Sequence, residues 1–260
     1  MRITRFWGAF PLQGAAARAN VPGMTTFVLV HGAWGGCYGF RTIRGPLREA
    51  GHEVFTPSLT GLGERVHLAS PQVNLTTHVT DVANTILYED LENIVLLGYS
   101  YGGMVVTGAL EHVADRVAHL VYLDAFKPAD GESLDDLARA GYGKGAIGPG
   151  GGWLVPPLAR AIHDIKESAW YTARRSPHPV GCFTEPVRLP KPLEDYSFTR
   201  TYIKATEEPR AASESRPSPF WRAADYAKTN PAWRYREIDT DHMITVNRPA
   251  DLVALLRELE

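Results

Sequence analysis

The feature that most limits how this chain can fold is Gly98-Tyr99-Ser100-Tyr101-Gly102, followed at once by Gly103. An apolar run at residues 93–97 leads into it, and a helix-forming stretch from Met104 leads out. Joining a buried strand to a helix over so few residues requires a sharp turn. Such a turn raises one hydroxyl above the end of a sheet, and its glycines let neighbouring backbones come close. The first free N–H groups of the helix then face that oxygen, where negative charge would develop during nucleophilic attack. A plainer reading is a glycine-rich β–α turn in which Ser100 only caps the helix. The rest of the chain decides between the two.

At 260 residues and 44% hydrophobic content, the chain has the size of one α/β domain, or of such a domain with an insertion. A formal net charge of -2 and the lack of a basic stripe argue against nucleic acid as a partner. No apolar run reaches bilayer-spanning length, so no membrane partner is expected. The two cysteines, Cys37 and Cys182, stand in neither a C-x-x-C motif nor a sequence cluster with histidines. They predict no disulfide framework, no zinc site and a reducing, cytoplasmic setting. The expected partner is a small molecule, and the expected state is a monomer or homodimer.

Residues 1–23 read as a loosely ordered extension ahead of a domain over 24–260, because Pro11 and Gln13 interrupt what would otherwise resemble a signal peptide. Residues 27–30 form a continuous apolar run of the kind buried on both faces of a parallel sheet. They end in His31-Gly32-Ala33-Trp34-Gly35-Gly36, which lacks the glycine spacing and the Lys of phosphate loops. The better reading is an oxyanion loop: the Ala33 amide would be one donor and the Tyr101 amide the other, with His31 and Trp34 packing the loop. Helices are expected over 40–50, 76–91, 221–228 and 249–258, and strands over 53–56, 118–123, 200–205 and 233–238. His78, on the second of these helices, reads as a packing or surface residue. Between about 127 and 193 the alternation breaks down, as in an inserted cap, with helical pieces at 134–140 and 158–167. Trp153, Trp170, Tyr171 and Phe183 are its candidate pocket lining. Strands alternating with helices elsewhere predict a mostly parallel sheet with right-handed crossovers.

A serine needs a base within hydrogen-bond reach and a third group to hold that base. The chain offers Ser100 after a middle strand, acids after later ones, and His242 after the last strand. Asp124 ends one strand and Glu208 follows another; Asp239 and Asp241 stand too near His242 in sequence to hold its ring well.

Four stretches carry a resemblance: 27–33 (Phe-Val-Leu-Val-His-Gly-Ala), 98–104 around Ser100, 121–126 (Val-Tyr-Leu-Asp-Ala-Phe) and Asp241-His242-Met243. They resemble the α/β-hydrolase branch that contains plant methylesterases, hydroxynitrile lyases and bacterial esterase-like members. Residues 60–65 (Thr-Gly-Leu-Gly-Glu-Arg) are similar to the bacterial members in particular. The resemblance implies an α/β-hydrolase fold: a mostly parallel central sheet, flanking helices and an inserted cap. It also implies a serine esterase with no metal and no organic cofactor, cleaving a small carboxylic ester through an acyl-enzyme. In the lyases a threonine and a lysine stand where this chain has Gly32 and Met243, so hydrolysis is favoured over C–C lysis. The branch usually has histidine where this chain has Tyr99. Its late acid is usually aspartate in Tyr-Ile-x-x-Thr-x-Asp, and here Glu208 takes that place, so triad order favours Glu208 over Asp124. The alternatives are a lactonase or natural-product methylesterase, a hydroxynitrile lyase-type C–C lyase, a cofactor-free oxygenase and a hydrolase-fold ligand receptor.

Overall fold

The computed structural model of the protein describes residues 23–142, 152–213 and 216–259. The expected N-terminal extension, all but Gly23, and most of the glycine cluster at 141–152 lie outside the described residues.

The chain runs β1 (Thr26–Val30), α1 (Arg41–Glu49), β2 (Glu53–Phe55), α2 (Leu75–Tyr88), β3 (Ile94–Tyr99), α3 (Gly102–Val113) and β4 (Val117–Leu123). Then come α4 (Leu134–Ala138), β5 (Leu154–Val155), α5 (Ile165–Thr172), β6 (His178–Pro179) and α6 (Gly181–Thr184). It closes with β7 (Thr199–Ala205), β8 (Ala211–Ser213), β9 (Arg216–Pro217), α7 (Pro219–Thr229), β10 (Arg234–Ile238), α8 (Ile244–Asn247) and α9 (Pro249–Arg257). Six strands form one sheet in the order β10-β7-β4-β3-β1-β2, and every pair in it is parallel.

The apolar runs explain the sheet. Along β1, Val28 and Val30 belong to one hydrophobic cluster while Phe27 and Leu29 belong to another, and all four are fully buried. The period of two sends alternate side chains to opposite faces, so both faces must be covered by helices. Ile43 and Leu47 of α1 and Leu252 and Leu256 of α9 cover one face. Residues of α2, α3 and α7 cover the other, among them Val82, Ile86, Val106, Leu110 and Ala224. Asn74 sets the start of α2: its side chain accepts the Thr77 N–H, and the Thr77 hydroxyl reaches back to complete a capping box.

In sequence the sheet grows from β1 outward to β2, then from β3 outward through β4, β7 and β10. The direction reverses between β1 and β3. In open α/β sheets ligands bind at such a switch point, beyond the carboxyl ends of the strands.

Between β4 and β7 the chain departs from the sheet. The helix expected at 158–167 is displaced: α5 begins after Asp164, whose side chain accepts the Glu167 N–H. Among the described residues no helix is long and apolar enough to cross a membrane.

Candidate active site

The turn from β3 to α3 places Ser100 at φ +56°, a left-handed backbone unusual for a residue with a side chain. Two neighbours hold it there. The Ser100 N–H donates to the Leu123 carbonyl at 3.2 Å, and the Phe126 N–H donates to the Ser100 carbonyl at 3.1 Å. The flanking glycines are sterically required: a β-carbon at Gly102 would lie 2.4 Å from the Val30 carbonyl oxygen, and one at Gly98 would lie 2.6 Å from that of Gly102. Close contact with β1 brings the Gly32–Trp34 loop beside the serine, and Ala33 and Ser100 border the same cleft.

His242 reaches this point from the loop after β10. Its Nε2 lies 2.9 Å from Ser100 Oγ, and its Nδ1 lies 2.6 Å from Asp124 Oδ2. With the proton assigned to Nδ1, facing the carboxylate, the Nε2 lone pair is turned to the hydroxyl. The imidazole is held between two rings, Phe220 at 4.9 Å and 12° and Tyr99 at 5.1 Å and 29°. The Tyr99 hydroxyl also donates to the His242 carbonyl at 2.6 Å. Where the branch usually has histidine, tyrosine thus clamps the histidine loop.

The carboxylate on the ring is that of Asp124, which corrects the expectation that Glu208 stands there. After β7 the chain follows the end of β10, with the Thr206 N–H bonded to the Ile238 carbonyl and the Glu207 N–H to the Thr240 carbonyl. That course carries Glu208 to the backbone of the histidine loop, where its Oε1 accepts the His242 N–H at 3.0 Å. Asp124 ends β4, which lies directly beside β3, and a φ of +39° turns it toward His242. Its other oxygen, Oδ1, accepts from Lys204 Nζ at 2.6 Å, and both side chains are fully buried. The Lys204 ammonium also donates to the Ala205 carbonyl and lies 4.6 Å from the centre of the Trp221 ring. Burial alone would raise the Asp124 carboxyl, but the His242 hydrogen bond and charge, with the Lys204 charge, bring it below the usual carboxylate range. Asp241 instead accepts from the Met243 N–H and the Asn247 amide, and Asp239 accepts from the Thr206 hydroxyl.

The cleft over Ser100 and His242 is walled by Trp34, Tyr99, Tyr171 and Met243, and by two cations, Arg160 and Arg175. Its free interior is about 20 Å³, room for roughly one water. Of the four aromatic candidates, Tyr171 borders the cleft, and Phe183 is fully buried against Tyr101 and His178. Trp170 lies between the guanidinium groups of Arg41 and Arg174, and Trp153 is half-buried, its carbonyl accepting the Val180 N–H.

Beneath the Gly32–Trp34 loop the fold gathers residues that are scattered in sequence. The ligand atoms of His78, His178 and Cys182 lie within 4.8 Å of one another, so Cys182 does join a cluster with histidines. Their bonding is that of a neutral network. His78 bonds the Tyr101 hydroxyl through Nδ1 and the Thr60 carbonyl through Nε2, each at 2.8 Å, and His178 Nδ1 accepts the Trp34 N–H. Burial pushes the Cys182 thiol up, in keeping with a neutral sulfhydryl in this network. His31 likewise ties the loop: its Nδ1 bonds the Gly32 carbonyl and its Nε2 accepts the Leu59 N–H. His31 and Trp34 pack the loop as expected, and His78 is fully buried.

These histidines make stability depend on pH. Burial lowers His31 to about 4 and His78 to about 3, and takes His178 well below its ordinary value. Unfolding would release them to titrate near 6.5, so over that window the unfolded chain binds more protons. Their neutral burial is therefore harmless above about pH 6.5 and increasingly unfavourable as pH falls toward 4. The thermal midpoint measured by calorimetry should decline steadily from pH 6.5 to 4.5; a flat profile there would contradict the network.

A parallel α/β sheet with a strained serine at its switch point, bonded to a histidine on the last loop, defines a hydrolase-type chain. The sequence matches the α/β hydrolase family model over residues 27–255, and the protein belongs to that family. It is 34% identical to a carbendazim hydrolyzing esterase of Nocardioides sp. (strain SG-4G), covering 91% of this chain and all of the relative. It is 28% identical to a pheophorbidase of Raphanus sativus, over 88% of this chain and 92% of that one. An extracellular α/β-hydrolase from a Paenibacillus species has the same fold, with a TM-score of 0.70 at 24% identity, covering 90% of this chain and 98% of that one.

Proposed function

We propose that the protein is a serine esterase that cleaves a small carboxylic ester through an acyl-enzyme. The observation that carries this is a single imidazole bridging Ser100 Oγ at 2.9 Å and Asp124 Oδ2 at 2.6 Å. In this reading Ser100 is the nucleophile, His242 the base and Asp124 the acid. His242 takes the serine proton as Oγ attacks the carbonyl carbon, and Asp124 stabilises the imidazolium that forms. The Ala33 and Tyr101 amides hold the developing oxyanion, an interaction worth on the order of 100- to 1000-fold in turnover per donor. His242 then returns the proton to the leaving alcohol. A water deprotonated by the same ring releases the acid and restores the serine.

The chain order Ser100, Asp124, His242 is that of α/β-hydrolases, and the esterase relative aligned along its whole length supports an ester as substrate. We read the segment between β4 and β7 as the cap, because Tyr171, Arg160 and Arg175 overhang the cleft from it. Two free cysteines fit a reducing, cytoplasmic setting.

The test is covalent. A fluorophosphonate probe should label the wild type once, on the peptide carrying Ser100, while abolishing hydrolysis of p-nitrophenyl acetate. Ser100→Ala should take no label. Retained esterase activity in that variant would move the active site elsewhere.

A further inference from the structure

Two guanidinium groups stand where the ester mechanism has no use for them. Arg160 follows β5 and Arg175 follows α5, and both wall the cleft that holds Ser100 and His242. Among the described residues no carboxylate lines that cleft. Arg175 donates to the Leu158 carbonyl and lies 5.7 Å from the centre of the Trp34 ring, contacts that fix its position without neutralising its charge. Arg160 is half-buried and makes no hydrogen bond or ion pair among the described residues. The acids near His242 make bonds of their own, Glu208 to the His242 N–H. Asp241 is bonded to the Met243 N–H and the Asn247 amide, and Asp124 is matched by Lys204 and His242. Burial lowers the Arg175 guanidinium from its ordinary value, and the charge of Arg160 works in the same direction. Like charges gathered in a half-enclosed cleft are costly unless a ligand balances them.

We propose that Arg160 and Arg175 bind an ionised carboxylate, so that the preferred substrate is an ester bearing a second, free acid group, as in a monoester of a dicarboxylic acid. This rests on the esterase reading of the same cleft. Hydrolysis of such a monoester consumes one water and yields the alcohol, the dicarboxylate and a proton. Guanidinium forks suit the task, since each can hold a carboxylate through two parallel N–H···O bonds. With so little free space between the walls, an acyl chain enters only as these long side chains swing aside. A carboxylate at its far end gives them a partner in the displaced position.

The experiment compares mono-p-nitrophenyl glutarate with the neutral p-nitrophenyl valerate. At low ionic strength the wild type should favour the anionic ester in kcat/KM by about tenfold or more, the size of one charge-assisted hydrogen bond. High salt should shrink that ratio. The ratio should collapse in Arg160→Gln/Arg175→Gln, and fall part of the way in Arg160→Gln alone, which removes no hydrogen bond or ion pair among the described residues. Glutarate itself reads the site without turnover: it should raise the thermal midpoint of the wild type and not of the double variant. Equal kcat/KM for the two esters with no glutarate shift, or a preference unchanged by the double variant, overturns the proposal. If neither ester is cleaved and Ser100 takes no label, it is the esterase reading that fails, and the glutarate titration still decides the arginine site.

Discussion

Asp124→Asn should lower kcat/KM for an activated ester by about 10⁴-fold, the loss typical when a triad acid becomes an amide. Glu208→Gln should cost no more than about tenfold, because it keeps an oxygen that can accept the His242 N–H. The two residues compete for one role, and their positions make the contrast sharp. The Asp124 carboxylate accepts the Nδ1 proton at 2.6 Å and so fixes the tautomer that leaves Nε2 free. An amide there can present an N–H to Nδ1 and stabilise the opposite tautomer, with Nε2 protonated and useless as a base. Glu208 touches only the main chain of the same residue. Its loss should loosen the loop without changing which nitrogen carries the proton. Rates should be normalised to the folded fraction, because Asp124→Asn also removes the counter-charge of Lys204. A large loss in Glu208→Gln beside a small one in Asp124→Asn would restore Glu208 as the acid.

The fold and the meeting of Ser100 with His242 were legible because their signals are local. Apolar runs marked β1, β3 and β4 to within a few residues, and the glycines around Ser100 fitted only a sharp strand-to-helix turn. His242 followed from its place after the last strand. The acid could not be read the same way, since Asp124 and Glu208 both satisfy the order serine, acid, histidine. In the folded chain strand adjacency brings Asp124 to the ring: β4 lies beside β3, whereas the end of β7 is drawn along β10. One signal did lie in the sequence. Lys204 interrupts an otherwise apolar strand end, and a lysine buried there requires a carboxylate close by. The grouping of two histidines with a cysteine was illegible for a related reason, since His78, His178 and Cys182 come from three elements that meet only in the folded chain. In the sequence Tyr99 is only a departure from the branch's usual histidine; its hydroxyl bond to the His242 carbonyl depends on a loop 143 residues away.

Lys204→Met should destabilise the protein by about 3–5 kcal/mol, the usual cost of removing one partner from a buried ion pair. Methionine fills nearly the same volume, so cavity formation contributes little and the loss reports the uncompensated Asp124 charge. The sign with pH follows from that carboxyl. Held below its ordinary range when folded, it contributes stability above about pH 4 that is lost as pH falls through its folded value. Without Lys204 that contribution shrinks, so the deficit in urea-unfolding free energy should be largest near neutrality and fade in acid. Catalysis should respond as well. At present the Lys204 ammonium draws on one carboxylate oxygen while the imidazole uses the other. Removing it leaves more negative charge facing Nδ1 and favours the protonated ring. The acid limb of the kcat/KM profile, which reports the essential base of the free enzyme, should therefore move to higher pH. A residue that only fills space would lower activity evenly at all pH values. A variant with normal stability and an unmoved acid limb would show that Lys204 and Asp124 do not share charge across the sheet.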